Sequence, residues 1–352
     1  MPLFNSAPKS VCFLRLSAIG DVCHAIAAVQ ALQKHWPETK VTWIIGKVEA
    51  QLVQGLEGVE LIIFDKKAGW TGIQSVWKAL KGQHFDALIH MQLALRASIV
   101  TLGIRANYKV GFNRERAKEG QWLFTNRKIP DTHSQHVLDS FFSFIHYLGV
   151  PRSQPEWQLP IDQEHLLFAK QVLQEKPSVV ISPAASKDER NWQVEKYAQF
   201  ADWVTSKGYQ VVLCGSPSER ELALSQRIQT LMNSTALDLV GKTSLKQLTA
   251  ILRYADIVLA PDSGPAHIAT TQHTPVIGLY GHSNPKRTGP YNSQKYVVSV
   301  YEQFAQQQYN KPLEDLSWSS RVKGSHIMDA ISLEDVQQRF NTIEKTEDNH
   351  AK

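Results

Sequence analysis

Strand-like and helix-like stretches alternate along almost the whole chain, and this alternation limits the fold more than any other feature of the sequence. Val11 to Leu16 reads as a strand. Asp21 to His35 reads as a helix with Val22, Ile26, Val29 and Leu32 along one stripe, and Val41 to Ile45 as the next strand. Further short strands follow at Leu61–Phe64, Ala87–His90 and Lys109–Phe112, with helical stretches between them. Strands joined through helices run parallel, because only a crossover returns the chain to the same end of the sheet. The expected class is α/β, with doubly wound parallel sheets.

The pattern breaks at Gly149-Val150-Pro151 and Pro155 and again at Leu159-Pro160, where turn-formers crowd together. A helical pattern opens at Gln163, and the alternation restarts with strands at Ser178–Ile181, Gln210–Leu213, Asp238–Val240, Ile257–Leu259 and Val276–Tyr280. The 352 residues exceed the roughly 250–300 at which one core stops growing, so two domains are expected. Residues 1–160 are expected to form one Rossmann-like domain and 161–330 a second, with a ligand cleft between them. Residues 331–352 form a last helix, amphipathic over Ser332–Ile343, and a tail expected to pack back toward the N-terminal domain.

Composition narrows the partners. Hydrophobic residues make up 43% and charged residues 20%, a globular balance. No apolar run approaches the ~20 residues that cross a bilayer. The apolar stretch after Lys9 is too short for a signal peptide, and the three scattered cysteines, Cys12, Cys23 and Cys214, read as buried thiols. A cytoplasmic protein is expected. Net charge is +5, an excess that suits an anionic small molecule or lipid surface and not a nucleic-acid track.

Four strand-to-helix turns carry candidate chemistry. Asp262-Ser263-Gly264-Pro265 opens a helix, where free N–H groups and the helix dipole favour an anion and Gly264 admits a phosphate. Its other reading is an empty Asp/Ser helix cap. Ser17-Ala18-Ile19-Gly20-Asp21 follows the first strand, and Asp21 is either a general base or a cap. Ser186, Lys187 and Arg190 follow the first strand of the second half and offer cations for phosphate, or merely a solvated loop. Ser216 and Glu219 lie one unit later, with Glu219 either a ribose partner or a helix starter. The three-glycine dinucleotide fingerprint is missing, which disfavours a nicotinamide dehydrogenase. A basic stretch with aromatics, Lys109, Arg114, Arg116, Lys118, Trp122, Phe124, Arg127, Lys128, His133 and His136, offers an anion-binding face or a solvated one.

Together these stretches resemble the lipopolysaccharide heptosyltransferases of glycosyltransferase family 9. The resemblance rests on Ser17–Val22, Arg190-Asn191-Trp192, Gly215–Glu219, Leu239–Leu245, Asp262–His267 and Gly278–Gly281, in the family's order. Asn284–Tyr291 looks like the heptosyltransferase I subgroup, which adds the first heptose to Kdo (3-deoxy-octulosonate). The resemblance implies a GT-B fold, an ADP-heptose donor, a Kdo-lipid A acceptor and inversion at the anomeric carbon. It implies Asp21 as catalytic base. It places Asp262, Ser263, Gly264 and His267 at the donor diphosphate, Arg190 at the family's basic position and Glu219 at the ribose, with Ser186, Lys187, Ser216 and Lys242 on the same donor side. Ser17, Gly20, Arg116, Lys118 and His136 fall on the acceptor side. Two departures are Arg190, where some members carry Lys, and Ser263, where some carry Thr. No cofactor is implied, and no Asp-x-Asp triplet occurs, so no metal is expected. A lipid acceptor implies peripheral contact with the cytoplasmic face of the inner membrane. Alternatives are a family 9 transferase with another donor or acceptor, such as second-heptose transfer, and a non-catalytic nucleotide-sugar-binding protein.

Overall fold

The computed structural model describes residues 1–131, 136–174 and 176–350. The chain forms two compact units, Met1–Pro160 and Ile161–Lys352. The first holds strands β1 (Ser10–Leu14), β2 (Lys40–Gly46), β3 (Val59–Phe64), β4 (His84–His90), β5 (Arg105–Gly111) and β6 (Arg127–Lys128). They pair in the order β3-β2-β1-β4-β5-β6, every pair parallel, with Val11 opposite Val41 on one side and Ala87 on the other.

The second unit repeats the plan. Strands β7 (Ser178–Ile181), β8 (Gln210–Leu213), β9 (Leu237–Asp238), β10 (Ile257–Pro261), β11 (Val276–Tyr280) and β12 (Val298–Ser299) pair as β12-β11-β10-β7-β8-β9, again all parallel. In both sheets the strand order reverses beside the first strand, between β1 and β4 and between β7 and β10. The loops leaving those strands diverge there, which opens a ligand crevice at the C-terminal edge of the sheet.

Burial follows from this layering. Central strands are covered on both faces, so β1, β7 and β10 read as continuous apolar runs in place of alternation. The three cysteines are buried, free thiols, and burial pushes each thiol's pKa up. No described helix is long and apolar enough to cross a membrane.

The terminal helix, Leu333–His350, packs within its own unit: Val336, Phe340 and Ile343 are buried in the second unit's core. Its apolar stripe meets aromatic partners there, the Phe340 ring lying 5.2 Å from Trp203, 5.1 Å from Tyr209 and 6.1 Å from Phe200. Lys207 closes the edge on Glu344 at 3.0 Å. Phe340→Ala is expected to destabilise the second unit by roughly 3–5 kcal/mol, the usual cost of truncating a core aromatic. Denaturant unfolding of wild type and variant measures it, and an unchanged midpoint would show that the helix is not part of this core.

Candidate functional site

In the first unit the site begins where β1 ends. Arg15 is buried at the head of the β1 loop. Its Nη1 donates to the Met91 carbonyl at 2.6 Å, its Nη2 pairs with Asp21 Oδ2, and its guanidinium lies 5.2 Å from the Phe141 ring centroid. Burial pulls the Arg15 pKa down, while the Asp21 charge and hydrogen bond hold it up. Gln92, in the loop after β4, accepts from the Leu16 and Ser17 N–H groups at 3.1 and 3.2 Å and so fixes the turn. The helix Ile19–His35 then starts with Gly20 buried and Asp21 in its first turn.

Asp21 serves both as a helix-start carboxylate and as the partner of a buried arginine. Oδ2 accepts from the Ala18 N–H at 3.3 Å, as a helix-start carboxylate does, and also takes the Arg15 pair. Oδ1 has no partner among the described residues, and the side chain is 32% exposed. One oxygen is fixed, and the other is open.

The helix Val137–Leu148 gathers three more basic or acceptor-side groups. His136 is its N-cap, with Nδ1 accepting from the Leu138 N–H at 3.1 Å. Ser140 accepts from buried Arg116, and Phe141 underlies Arg15. The His136 ring stands edge-on to that of His24, 5.2 Å away, one turn beyond Asp21. Arg116 and His136 thus meet at the start of the helix Val137–Leu148, His136 faces the His24 ring of the helix that carries Asp21, and Ser17 is half-buried in the turn before that helix. Lys118 is exposed, as are Arg114, Arg127 and Lys128, and His133 lies outside the described residues.

In the second unit the candidate residues sit in loops that leave adjacent parallel strands at the same edge. Ser263 is the N-cap of the helix Gly264–Thr271, yet its side chain makes no capping bond, and its buried Oγ has no partner among the described residues. Ser263 is thus an N-cap by position and not by hydrogen bond. The first-turn N–H groups of that helix have no intrahelical partners, and Pro265 removes one of them. Asp262 lies beside this turn, 4.0 Å from His267 Nε2, with the Thr288 hydroxyl 3.5 Å away. Arg190, 8% exposed at the end of a short turn after β7, keeps a buried Nε with no partner among the described residues. Burial lowers its pKa first and the charge of Arg321 second, against support from Asp262 and Glu189.

The remaining donor-side candidates are engaged or peripheral. Ser186 and Lys187 are exposed, and Lys187 lies 3.6 Å from Glu189. Ser216 gives its N–H and hydroxyl to Glu221, at 2.7 and 2.6 Å. Glu219, the first residue of the helix Glu219–Leu231, is exposed, and Lys242 donates to the Asp238 carbonyl at 2.8 Å. Four residues escaped the sequence reading. Arg15 carried a signal, a cation closing an apolar run. Glu221, Arg220 (which ties Asp188 and the Ala185 carbonyl to the helix) and Arg321 carried none.

Comparison with known proteins follows the same lines. The model of Glycosyltransferase family 9 (heptosyltransferase) matches residues 73–316. The "Lipopolysaccharide core heptosyltransferase OpsX" of Haemophilus influenzae is 51% identical over 337 residues, 96% of this chain and 97% of that protein. Among solved structures, a glycosyl transferase family 9 protein from Veillonella parvula DSM 2008 superposes with a TM-score of 0.78 at 22% identity, covering 95% of this chain and 97% of its own. The E. coli heptosyltransferase WaaC with ADP gives 0.71 at 20% identity, with 96% and 98% covered. These likenesses show the GT-B fold, two Rossmann-like domains.

One buried group near Arg15 makes stability pH-dependent. His90, fully buried at the end of β4 and bonded to Ser98 Oγ at 2.9 Å, has its pKa lowered from 6.5 to about 3 by burial and then by the Arg15 charge. Below pH 6.5 the unfolded chain binds a proton there that the folded chain refuses. His90 therefore subtracts stability as pH falls from 6.5 toward 3, by up to about 1.4 kcal/mol per pH unit. In unfolding measured from pH 6.5 to 4.5, His90→Gln is expected to lose less stability than wild type. Parallel losses would exclude His90 as the source.

Proposed function

Because the chain belongs to glycosyltransferase family 9, the heptosyltransferases, we propose that it moves heptose from ADP-heptose to Kdo in the inner core of lipopolysaccharide, with inversion. Heptose transfer in the lipopolysaccharide core is the family-level activity; this donor and the Kdo of Kdo-lipid A are the finer reading. The observation that carries the chemistry is the divided carboxylate of Asp21. Oδ2 is held by Arg15 and the Ala18 N–H, which fixes the group, and Oδ1 is left to accept a proton. As the acceptor hydroxyl oxygen forms its bond to the anomeric carbon, its proton passes to Oδ1. The bond from that carbon to the diphosphate oxygen breaks, and ADP leaves with the electron pair.

The leaving diphosphate gains negative charge, which needs fixed donors. The helix start at Ser263-Gly264 with the open Ser263 hydroxyl, and Arg190 beside it, are suited to that task. ADP is the ligand of the WaaC structure, which supports a nucleoside diphosphate here. The groups around His136, with Ser17, Gly20, Arg116 and Lys118, serve the acceptor. Kdo-lipid A is a membrane lipid, so the enzyme works in peripheral contact with the cytoplasmic face of the inner membrane. A groove of about 530 Å³, lined by Phe112, Arg114, Trp122, Arg127 and Lys128, supports that reading. Trp122 is 64% and Leu123 68% exposed beside these cations, the pairing that an anionic interface favours.

Asp21→Asn is expected to keep ADP affinity, which belongs to the second unit, and to cut turnover roughly 100-fold or more in a transfer assay with ADP-heptose and Kdo-lipid A. Near-normal turnover in the folded variant rules Asp21 out as base. The same assay with an acceptor already bearing one heptose separates first- from second-heptose transfer.

Charge neutralisation by protein groups predicts metal independence: after metal stripping, transfer persists in excess EDTA. Arg190→Ala is expected to cost more activity than Lys187→Ala, because Arg190 is buried and offers a two-pronged donor whereas Lys187 is solvated. Loss of transfer in EDTA with recovery in Mg²⁺ would overturn this account.

A further inference from the structure

Between the helix Tyr301–Tyr309 and the turn Ile327–Ala330, the chain runs as an irregular strap that is held in unusual detail. Tyr301 Oη donates to the Ser320 carbonyl at 3.2 Å, and Tyr309 Oη donates to the Arg321 carbonyl at 2.7 Å. Gln308 grips Lys323 on both sides, donating to its carbonyl at 3.1 Å and accepting from its N–H at 2.9 Å. The strap also forms an antiparallel bridge with the loop after β11, Ser283 opposite Arg321, and the Val322 N–H donates to the His282 carbonyl at 3.0 Å. His282 completes the attachment. One ring nitrogen lies 3.0 Å from the Val322 carbonyl and the other 2.8 Å from the Glu189 carbonyl, next to Arg190.

Apart from the His282–Glu189 contact, these bonds hold main-chain atoms of residues 320–323, and none of them uses the Arg321 side chain. What they accomplish is to set one arginine beside another. The charge of Arg321 opposes that of Arg190 more strongly than Asp262 or Glu189 supports it. Arginine cannot relieve such crowding by losing its proton. The two like charges, with the buried Arg190 Nε and two buried serine hydroxyls, Ser263 and Ser283, that have no partner among the described residues, make a cation-rich patch that Asp262 and Glu189 offset only in part. Residue 321 also lies past the stretch matched by the family model, which ends at 316.

We propose that Arg321 is a second cationic contact for the phosphates of the nucleoside-diphosphate donor, facing Arg190 across the bound anion. This rests on the donor reading above. With the diphosphate present, the repulsion between the two guanidinium groups becomes joint attraction, and each offers a charge-assisted hydrogen bond.

The test is calorimetry of ADP and of adenosine with wild type, Arg321→Gln and Arg321→Lys. Because the strap is held through its backbone, both variants should melt as wild type does. Arg321→Gln is expected to bind ADP about 10-fold or more weakly, the loss of one charge-assisted hydrogen bond, with adenosine affinity unchanged. Arg321→Lys should recover part of the ADP affinity. Unchanged ADP affinity in Arg321→Gln overturns the proposal, and so does an equal loss for ADP and adenosine, which marks a structural role. A wild type that binds no ADP refutes the donor reading itself.

Discussion

Everything at the two candidate sites depends on strands that all point the same way. In a parallel sheet each strand-to-helix loop leaves at the same edge, and the helix that follows presents its N-terminus there. The loops after β1 and β4 are therefore neighbours, which is how Gln92 comes to hold the Ser17 turn and Met91 the Arg15 guanidinium. The loops after β7, β10 and β11 are neighbours for the same reason, and they bring Arg190, Ser263 and His282 to one edge. No residue at either site needs a long reach, because the topology has already gathered them.

The same rule explains how much was legible in the sequence. Buried parallel strands give continuous apolar runs, helices give stripes, and the restart after Pro160 gives a second unit. Asp21, Arg190 and Ser263 could be named because each sits immediately beyond a recognisable strand. Pairings set by loop conformation could not. Arg15 and Asp21 are six residues apart, and nothing in that spacing makes them partners. In the helix Glu219–Leu231 the sequence drew attention to the first acid, yet Glu219 is exposed, while Glu221 folds back onto Ser216. Helix-start geometry, not order along the chain, decides which carboxylate meets the loop. Arg321 was invisible because side chains from a distant helix fix its position. The stripe on the terminal helix showed that a face would be buried, but not against what.

The two carboxylates of interest, Asp21 and Asp262, have different settings. Asp21 is joined to a buried arginine and keeps one oxygen open. Asp262 stands among His267, Thr288 and Arg190, where its charge offsets part of the local positive field. An acid beside a phosphate site has the wrong sign only when its neighbours are ignored.

The terminal helix is also tied to the loop that bears Arg190. Trp192, two residues past Arg190, donates from Nε1 to the Ile331 carbonyl at 3.0 Å, and Lys196 reaches the Asp329 and Ile331 carbonyls at 2.8 and 2.7 Å. Those carbonyls lie just ahead of the helix that carries Phe340 into the core. The loop bearing Arg190 is thus splinted by a segment 139 residues further along the chain. Every strand of the second sheet precedes this splint in the chain, so the sheet can pair before the Arg190 loop receives these last three hydrogen bonds.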